Sequence, residues 1–176
     1  PDTYRIYDHI KETAPRSCAV IGAGFIGLEM AENLAERGVH VTVVEGASHV
    51  MPPIDMDMAH QVHNYIRAQG IDLYLGQTCT AMDKDGVILK DGRKIPADMV
   101  ILSIGVRPDT GFLKDSGIEL GARGEILVNS YMETSAPDVY ALGDAASVRH
   151  IVSGKQVLIP LASPANKQGR IVGDNL

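Results

Sequence analysis

Hydrophobic and polar positions alternate along the chain in blocks of two kinds. Short, uninterrupted apolar runs that end in glycine or acid predict strands buried on both faces: Cys18, Ala19, Val20 and Ile21, then VHVTVVE, IDLYLG and MVILSIG. Between the first two lies a segment with helical period. Ile26, Met30 and Leu34 recur every fourth residue beside Ala31 and Ala35, and Gly38 stands where a helix would end. DMDMAHQVHNYIRAQG predicts a second helix, with Met58, Val62 and Ile66 as its stripe and Gly70 as its stop. GVILKDGRKIPA reads as a hairpin turning at Asp91-Gly92. The order strand, helix, strand within about 30 residues is a right-handed βαβ unit. The expected fold class is therefore α/β: a Rossmann-like domain with a parallel sheet and a β-hairpin or meander.

The pattern changes near Gly105, where GVRPDTGFLKDSG has the composition of a crossing loop. EILVN and DVYALGDAA read as strands, the second ending in Gly143-Asp144. SVRHIVSGKQVLIPL follows with a turn at Ser153-Gly154, and the closing segment reads as a helix entered after Pro164. The expected division is a lead-in over 1–15, a dinucleotide domain over 16–104, and part of a second domain over 105–176.

Composition narrows the partners. A formal charge of −6 argues against nucleic acid and provides no basic patch for a membrane. No apolar run approaches a membrane span, and no leader pattern precedes the fold. Two distant cysteines, Cys18 and Cys79, make no CxxC, and they fit a reducing cytoplasm. The chain starts at Pro1 and stops without a helix terminator, which raises the expectation of an excised piece.

Gly22, Gly24 and Gly27 form GxGxxG between the first strand and the first helix. The first glycine permits the tight turn. The second lets backbone approach a pyrophosphate, and the third lets helix pack closely on strand. The helix N-terminus adds N–H groups and the positive end of a dipole. Glu45 ends the second strand 21 positions after Gly24, where a carboxylate can accept hydrogen bonds from the adenosine ribose. A carboxylate there repels a 2′-phosphate, and the following Gly46, Ala47, Ser48 and His49 include no arginine, so NADH is expected over NADPH. His60 and His63, with Asp57 one turn earlier, could share a metal, but no third ligand is evident and a solvated helix face explains them better.

The glycine motif, SIGVRPDTGFLKDSGIEL and TSAPDVYALGDAA, taken together and in this order, resemble the FAD-dependent pyridine nucleotide-disulfide oxidoreductases. The resemblance covers nearly the whole chain. The closing PLASPANKQGRIVGDNL is most similar to coenzyme A disulfide reductases, including rhodanese-fused forms, and to related NADH oxidases and peroxidases. This implies that Asp144 accepts a hydrogen bond from the FAD ribityl chain, that Gly143 gives the flavin room, and that the helix from Ala162 to Gln168 approaches it. By the same likeness, Phe25, Ile26 and Glu29 flank the nicotinamide end, and Gly105 borders the cofactor. A core phenylalanine and a solvated glutamate are the plain alternatives for Phe25 and Glu29. The family's first glycine motif, its redox cysteine and its dimerisation domain have no counterpart here. The expectation is a homodimeric parent in which NADH passes hydride to FAD and on to a disulfide, peroxide or oxygen. The piece alone would be inactive and prone to self-association. Cys18 and Cys79 are expected to be buried, inert thiols. The rival reading is a stand-alone NAD-binding sensor without catalysis, against which the Gly143-Asp144 motif speaks.

Overall fold

The computed structural model describes residues 2–176, and these fall into two compact units, 2–105 and 106–176. In the first, a parallel sheet has strand order β3-β2-β1-β7, formed by β1 (Ser17–Ile21), β2 (His40–Glu45), β3 (Asp72–Leu75) and β7 (Met99–Leu102). Alternation within the apolar runs distributes them over two layers. Cys18, Val20, Val41 and Val43 face helices α2 (Phe25–Glu36) and α3 (Met56–Ala68), where Ala31, Leu34 and Ile66 complete the core. Ala19, Ile21 and Val44 face the other way, onto Val87, Leu89, Ile95 and Ala97. Those residues belong to, or directly follow, an antiparallel meander of β4 (Cys79–Asp83), β5 (Gly86–Leu89) and β6 (Lys94–Pro96). The sheet is thus sandwiched, and burial of each of its valines is worth about 1.5–3 kcal/mol.

Local signals explain most of the element ends. Gly38 and Gly70 follow α2 and α3 with φ of 80° and 75°, the left-handed conformation that stops a helix. Asp91-Gly92 turns the β5–β6 hairpin as the sequence predicts, with Gly92 at φ 86°.

Several expectations are corrected. The segment read as a lead-in is helical over α1 (Asp2–Thr13), and its Ile6 and Ile10 pack on the helix-side core. On α2 the buried face is Gly27, Ala31 and Leu34, so Ile26 projects outward and is 58% exposed. Met30 and Leu34 of the expected stripe do pack on the core, and only Ile26, beside the close contact at Gly27, departs from it.

In the second unit, EILVN and DVYALGDAA are not strands. They contribute only isolated bridges, Leu120 to Ile126, Ile126 to Ala146 and Glu133 to Tyr140, and a 3-10 turn covers Gly143–Ala145. Their apolar β-like composition is used in short cross-links rather than in a ladder. A hairpin of β8 (Ser147–Arg149) and β9 (Gln156–Leu158) follows, turning through Gly154. Helix α4 (Ala162–Asn175) begins two residues before Pro164, which sits in the first turn where a missing N–H costs nothing. Among the described residues no helix is long and apolar enough to cross a membrane.

The two cysteines differ in a way the sequence does not show. Cys18 is 1% exposed, and burial pushes its thiol up to about 12, against a smaller opposing effect of a backbone hydrogen bond at Ile101. Cys79, expected to be buried, is only half-buried, and its thiol donates to the Ala81 carbonyl at 3.3 Å. An aromatic disulfide reagent should therefore titrate one thiol in the native chain and two after denaturation. Rapid native reaction of both would contradict the placement of Cys18.

Candidate functional site

A cleft of about 470 Å³ opens along the C-terminal edge of the parallel sheet. Its floor is the turn after β1, and Gly22 and Gly24 line it. The turn is closely packed. Gly22 has φ 103°, and a Cβ there would lie 2.4 Å from the Ser103 carbonyl oxygen. A Cβ on Gly27 would lie 2.0 Å from the Gly22 carbonyl oxygen and 2.5 Å from Ser103 Oγ. At Gly24, by contrast, a Cβ would meet nothing within 4 Å. Two of the glycines are thus demanded by the protein's own packing, and Gly24 borders open cleft.

Ser103, which the sequence reading did not single out, secures this turn. Its Oγ lies 2.9 Å from the Gly22 carbonyl oxygen and 3.1 Å from that of Ile21, so its single proton can serve either acceptor. The available sequence signal was a serine just past the end of β7, beside the strand that carries the glycine turn.

Glu45 forms the next part of the wall. Oε2 accepts the Ala23 N–H at 2.7 Å and Oε1 accepts the Ala47 N–H at 2.8 Å. The carboxylate therefore bridges the glycine turn to the segment after β2. Each of its oxygens keeps a lone pair for a further donor. The wall continues through Gly46, Pro52, Gln77, Thr78 and the half-buried Cys79, and closes on the β7 side with Ile104 and Gly105. Phe25 and Glu29 lie elsewhere, along an apolar hollow between α2 and α3, and Phe25 is 49% exposed rather than a core residue.

The loop carrying Pro52 is tied down from beneath. Met51 donates its N–H to the Ala23 carbonyl at 2.8 Å, a second bond to the glycine turn. Val50, fully buried, donates its N–H to His63 Nε2 at 3.2 Å. His63 is thus a buried acceptor at 4% exposure, not part of a solvated face, although its neighbour His60 is exposed.

In the second unit, Gly143 has φ 83° and donates its N–H to Gln168 Oε1 at 2.7 Å. Gln168 is buried on α4 and fixes the corner that presents the exposed Asp144. Ala162 is exposed at the start of the same helix.

Comparison with known proteins decides the family. A pyridine nucleotide-disulphide oxidoreductase family model matches residues 2–169. The chain belongs to that family. It is 38% identical over 99% of its length to an NADH oxidase of Methanocaldococcus jannaschii, of which it covers 40%. It superposes on reduced CoADR-RHD of Bacillus anthracis with a TM-score of 0.96 and 47% identity, covering 99% of this chain and 32% of that one. On the water-forming NADH oxidase of Lactobacillus brevis bound to NADH the TM-score is 0.89 and the identity 35%, covering 98% and 39% of the two chains. An engineered mutant of that oxidase, a water-forming NADPH oxidase bound to NADPH, superposes with the same TM-score at 32% identity, covering 98% and 39%. The chain therefore spans about 40% of the length of the curated relatives it matches.

His63 makes the support of the site pH-dependent. Burial first, then the charge of Arg67 and the nearby His60 and His49, holds its pKa below the ordinary 6.5. The folded chain then binds fewer protons than the unfolded one, so this contribution is complete above that value and is lost as pH falls below it. Melting at about pH 5.5 should fall below that at about pH 7.5, and His63→Leu should narrow the gap while lowering both. An unchanged gap in the variant would contradict the role of His63.

Proposed function

We propose that the first unit binds NADH in the cleft over β1 and β2, as the nucleotide-binding part of a flavin-dependent oxidoreductase. The observation that carries the reading is the junction of the glycine turn with Glu45. It combines backbone free of side chains at Gly24, the N-terminal end of α2, and a carboxylate fixed by two backbone donors with lone pairs to spare. Gly22, Gly24 and the α2 terminus would hold the pyrophosphate, Glu45 the adenosine ribose, and Gly105 would border the opposite end. Phe25, Ile26 and Glu29, exposed on the first turns of α2, would stand near the nicotinamide as the family resemblance implies.

NADH supplies a hydride, and in the parent enzyme FAD would accept it for delivery to a coenzyme A-type disulfide, a peroxide or oxygen. Within this chain, the Gly143–Asp144 corner and the start of α4 at Ala162 would contribute one edge of the FAD site. Gln168 would hold that corner in place. An FAD pyrophosphate needs an anion-binding helix end of its own, and this reading assigns the glycine-rich end of α2 to NADH. The chain alone is accordingly read as holding FAD poorly and lacking turnover. The unpaired cysteines fit a reducing, cytoplasmic setting.

Preference for NADH over NADPH has support beyond the charge of Glu45. The mutations that turn the Lactobacillus brevis enzyme into an NADPH oxidase replace a glycine and, eighteen residues on, an aspartate, an alanine and a methionine in succession, then a proline five further. The same spacing in this chain falls on Gly27, Glu45, Gly46, Ala47 and Pro52. Glycine, acid and proline are kept, and neither arginine of the NADPH form is present.

Calorimetric titration tests the reading. The chain should bind NADH with preference over NADPH, and Glu45→Ala should weaken NADH by about 1.5–3 kcal/mol, the range for hydrogen bonds to a charged group. Unchanged affinity in the variant, or firm FAD binding with NADH-dependent disulfide reduction by the chain alone, would overturn it.

A further inference from the structure

The loop that walls the cleft after β2 is held in a backbone form it would not keep alone. Met51 has φ 52°, the left-handed region that a residue with a Cβ adopts reluctantly. Hydrogen bonds on both sides hold it there. Met51 donates its N–H to the Ala23 carbonyl of the glycine turn at 2.8 Å, and Ile54 donates to the Met51 carbonyl at 2.9 Å. Val50, fully buried, donates its N–H to His63 Nε2 at 3.2 Å. Pro52, the next residue after Met51, lines the cleft. The shape of this wall therefore depends on an imidazole nitrogen that lies outside the cleft.

Proton uptake strikes the bonded atom itself. To accept from Val50, Nε2 must carry a lone pair, so the neutral ring holds its proton on Nδ1. A second proton goes to Nε2 and sets donor against donor. The charge has no counter-ion. Arg67 and His60 on its own helix, and His49 on the loop, disfavour a cation there, and no carboxylate among the described residues offsets them. His49 is different. Its Nδ1 lies 2.8 Å from the Val50 carbonyl oxygen and can donate whether the ring is neutral or charged. A charged His63 thus has to give up Val50. With that bond goes part of what presents Met51 to the glycine turn and Pro52 to the cleft.

We propose that His63 is a proton-sensitive positioning residue of the nucleotide cleft: neutral, it holds the Val50–Pro52 wall against the glycine turn, and protonated, it releases the wall, so that protons and dinucleotide bind antagonistically. This rests on NADH occupying the cleft. A histidine with only a structural role would change stability with pH and leave the affinity of the folded chain alone. The sign is also distinctive. A histidine that touches phosphate binds it better once acid charges the ring, whereas His63 acts in the opposite sense. Coupling between two binding events is reciprocal. Bound dinucleotide must therefore lower the pKa of His63.

The test is calorimetric titration of the folded chain with NAD⁺, the acid-stable form of the dinucleotide, between about pH 7.5 and about pH 5. Native affinity should fall toward acid by a factor of about 2 to 10, the worth of one neutral hydrogen bond. His63→Gln supplies an amide oxygen that accepts from Val50 and does not titrate, so its affinity should stay flat. His63→Leu has no acceptor, and it should bind more weakly than the glutamine variant at about pH 7.5. Imidazole resonances of the native chain give a second reading, free of any variant's folding: the pKa of His63 should drop on saturation with NAD⁺. An affinity independent of pH, an equal fall in the glutamine variant, or a His63 pKa unmoved by NAD⁺ would overturn the inference while leaving the NADH site intact. Failure of the native chain to bind NAD⁺ or NADH at about pH 7.5 would overturn the site reading and this inference with it.

Discussion

The nucleotide-binding unit depends on one close approach. After β1 the chain must turn, pass beneath the end of β7, and enter α2 so near its own turn that backbone touches backbone. Gly22 and Gly27 are required there because a Cβ at either would overlap the Ser103 or Gly22 backbone, at 2.4 and 2.0 Å. Everything that shapes the cleft is referred to this point. Ser103 secures the turn from β7, Glu45 from β2, and Met51 from the loop after β2. His63 holds that loop in turn through Val50.

The bracing gives Glu45 two tasks. The carboxylate that would recognise ribose also keeps the turn and β2 in register, so it is oriented before any ligand arrives. Preorganisation of this kind lowers the cost of ordering groups on binding. It also means that loss of Glu45 acts twice, through the missing ligand bond and through a looser turn.

The strand runs of the parallel sheet, the hairpin at Asp91-Gly92 and the glycine–acid pair of the cleft were legible because each follows from a local rule: period, turn chemistry or fixed spacing. What escaped depended on contacts distant in sequence. Ile26 looked like core because it shares the period of Met30 and Leu34, which do pack there, but in the first turn the residue against the strand is Gly27. His63 looked solvated beside His60, yet a loop thirteen residues upstream covers it. EILVN and DVYALGDAA have strand composition, but a ladder needs a partner that composition does not name. Ser103 and Gln77 had no motif to mark them. Only the fold brings one under the glycine turn and the other to the cleft wall.

The central claim is that the NADH site is self-contained within the first unit, over the C-terminal ends of β3, β2, β1 and β7. Amide chemical-shift mapping of the isotope-labelled chain during NADH titration tests this most directly. The largest shifts should fall on Gly22 to Gly27, on Glu45 to Ala47, and on Gln77 and Thr78, with residues past Val106 little changed. Saturable shifts centred on the Gly143–Asp144 corner and α4, with the glycine turn unmoved, would contradict the account.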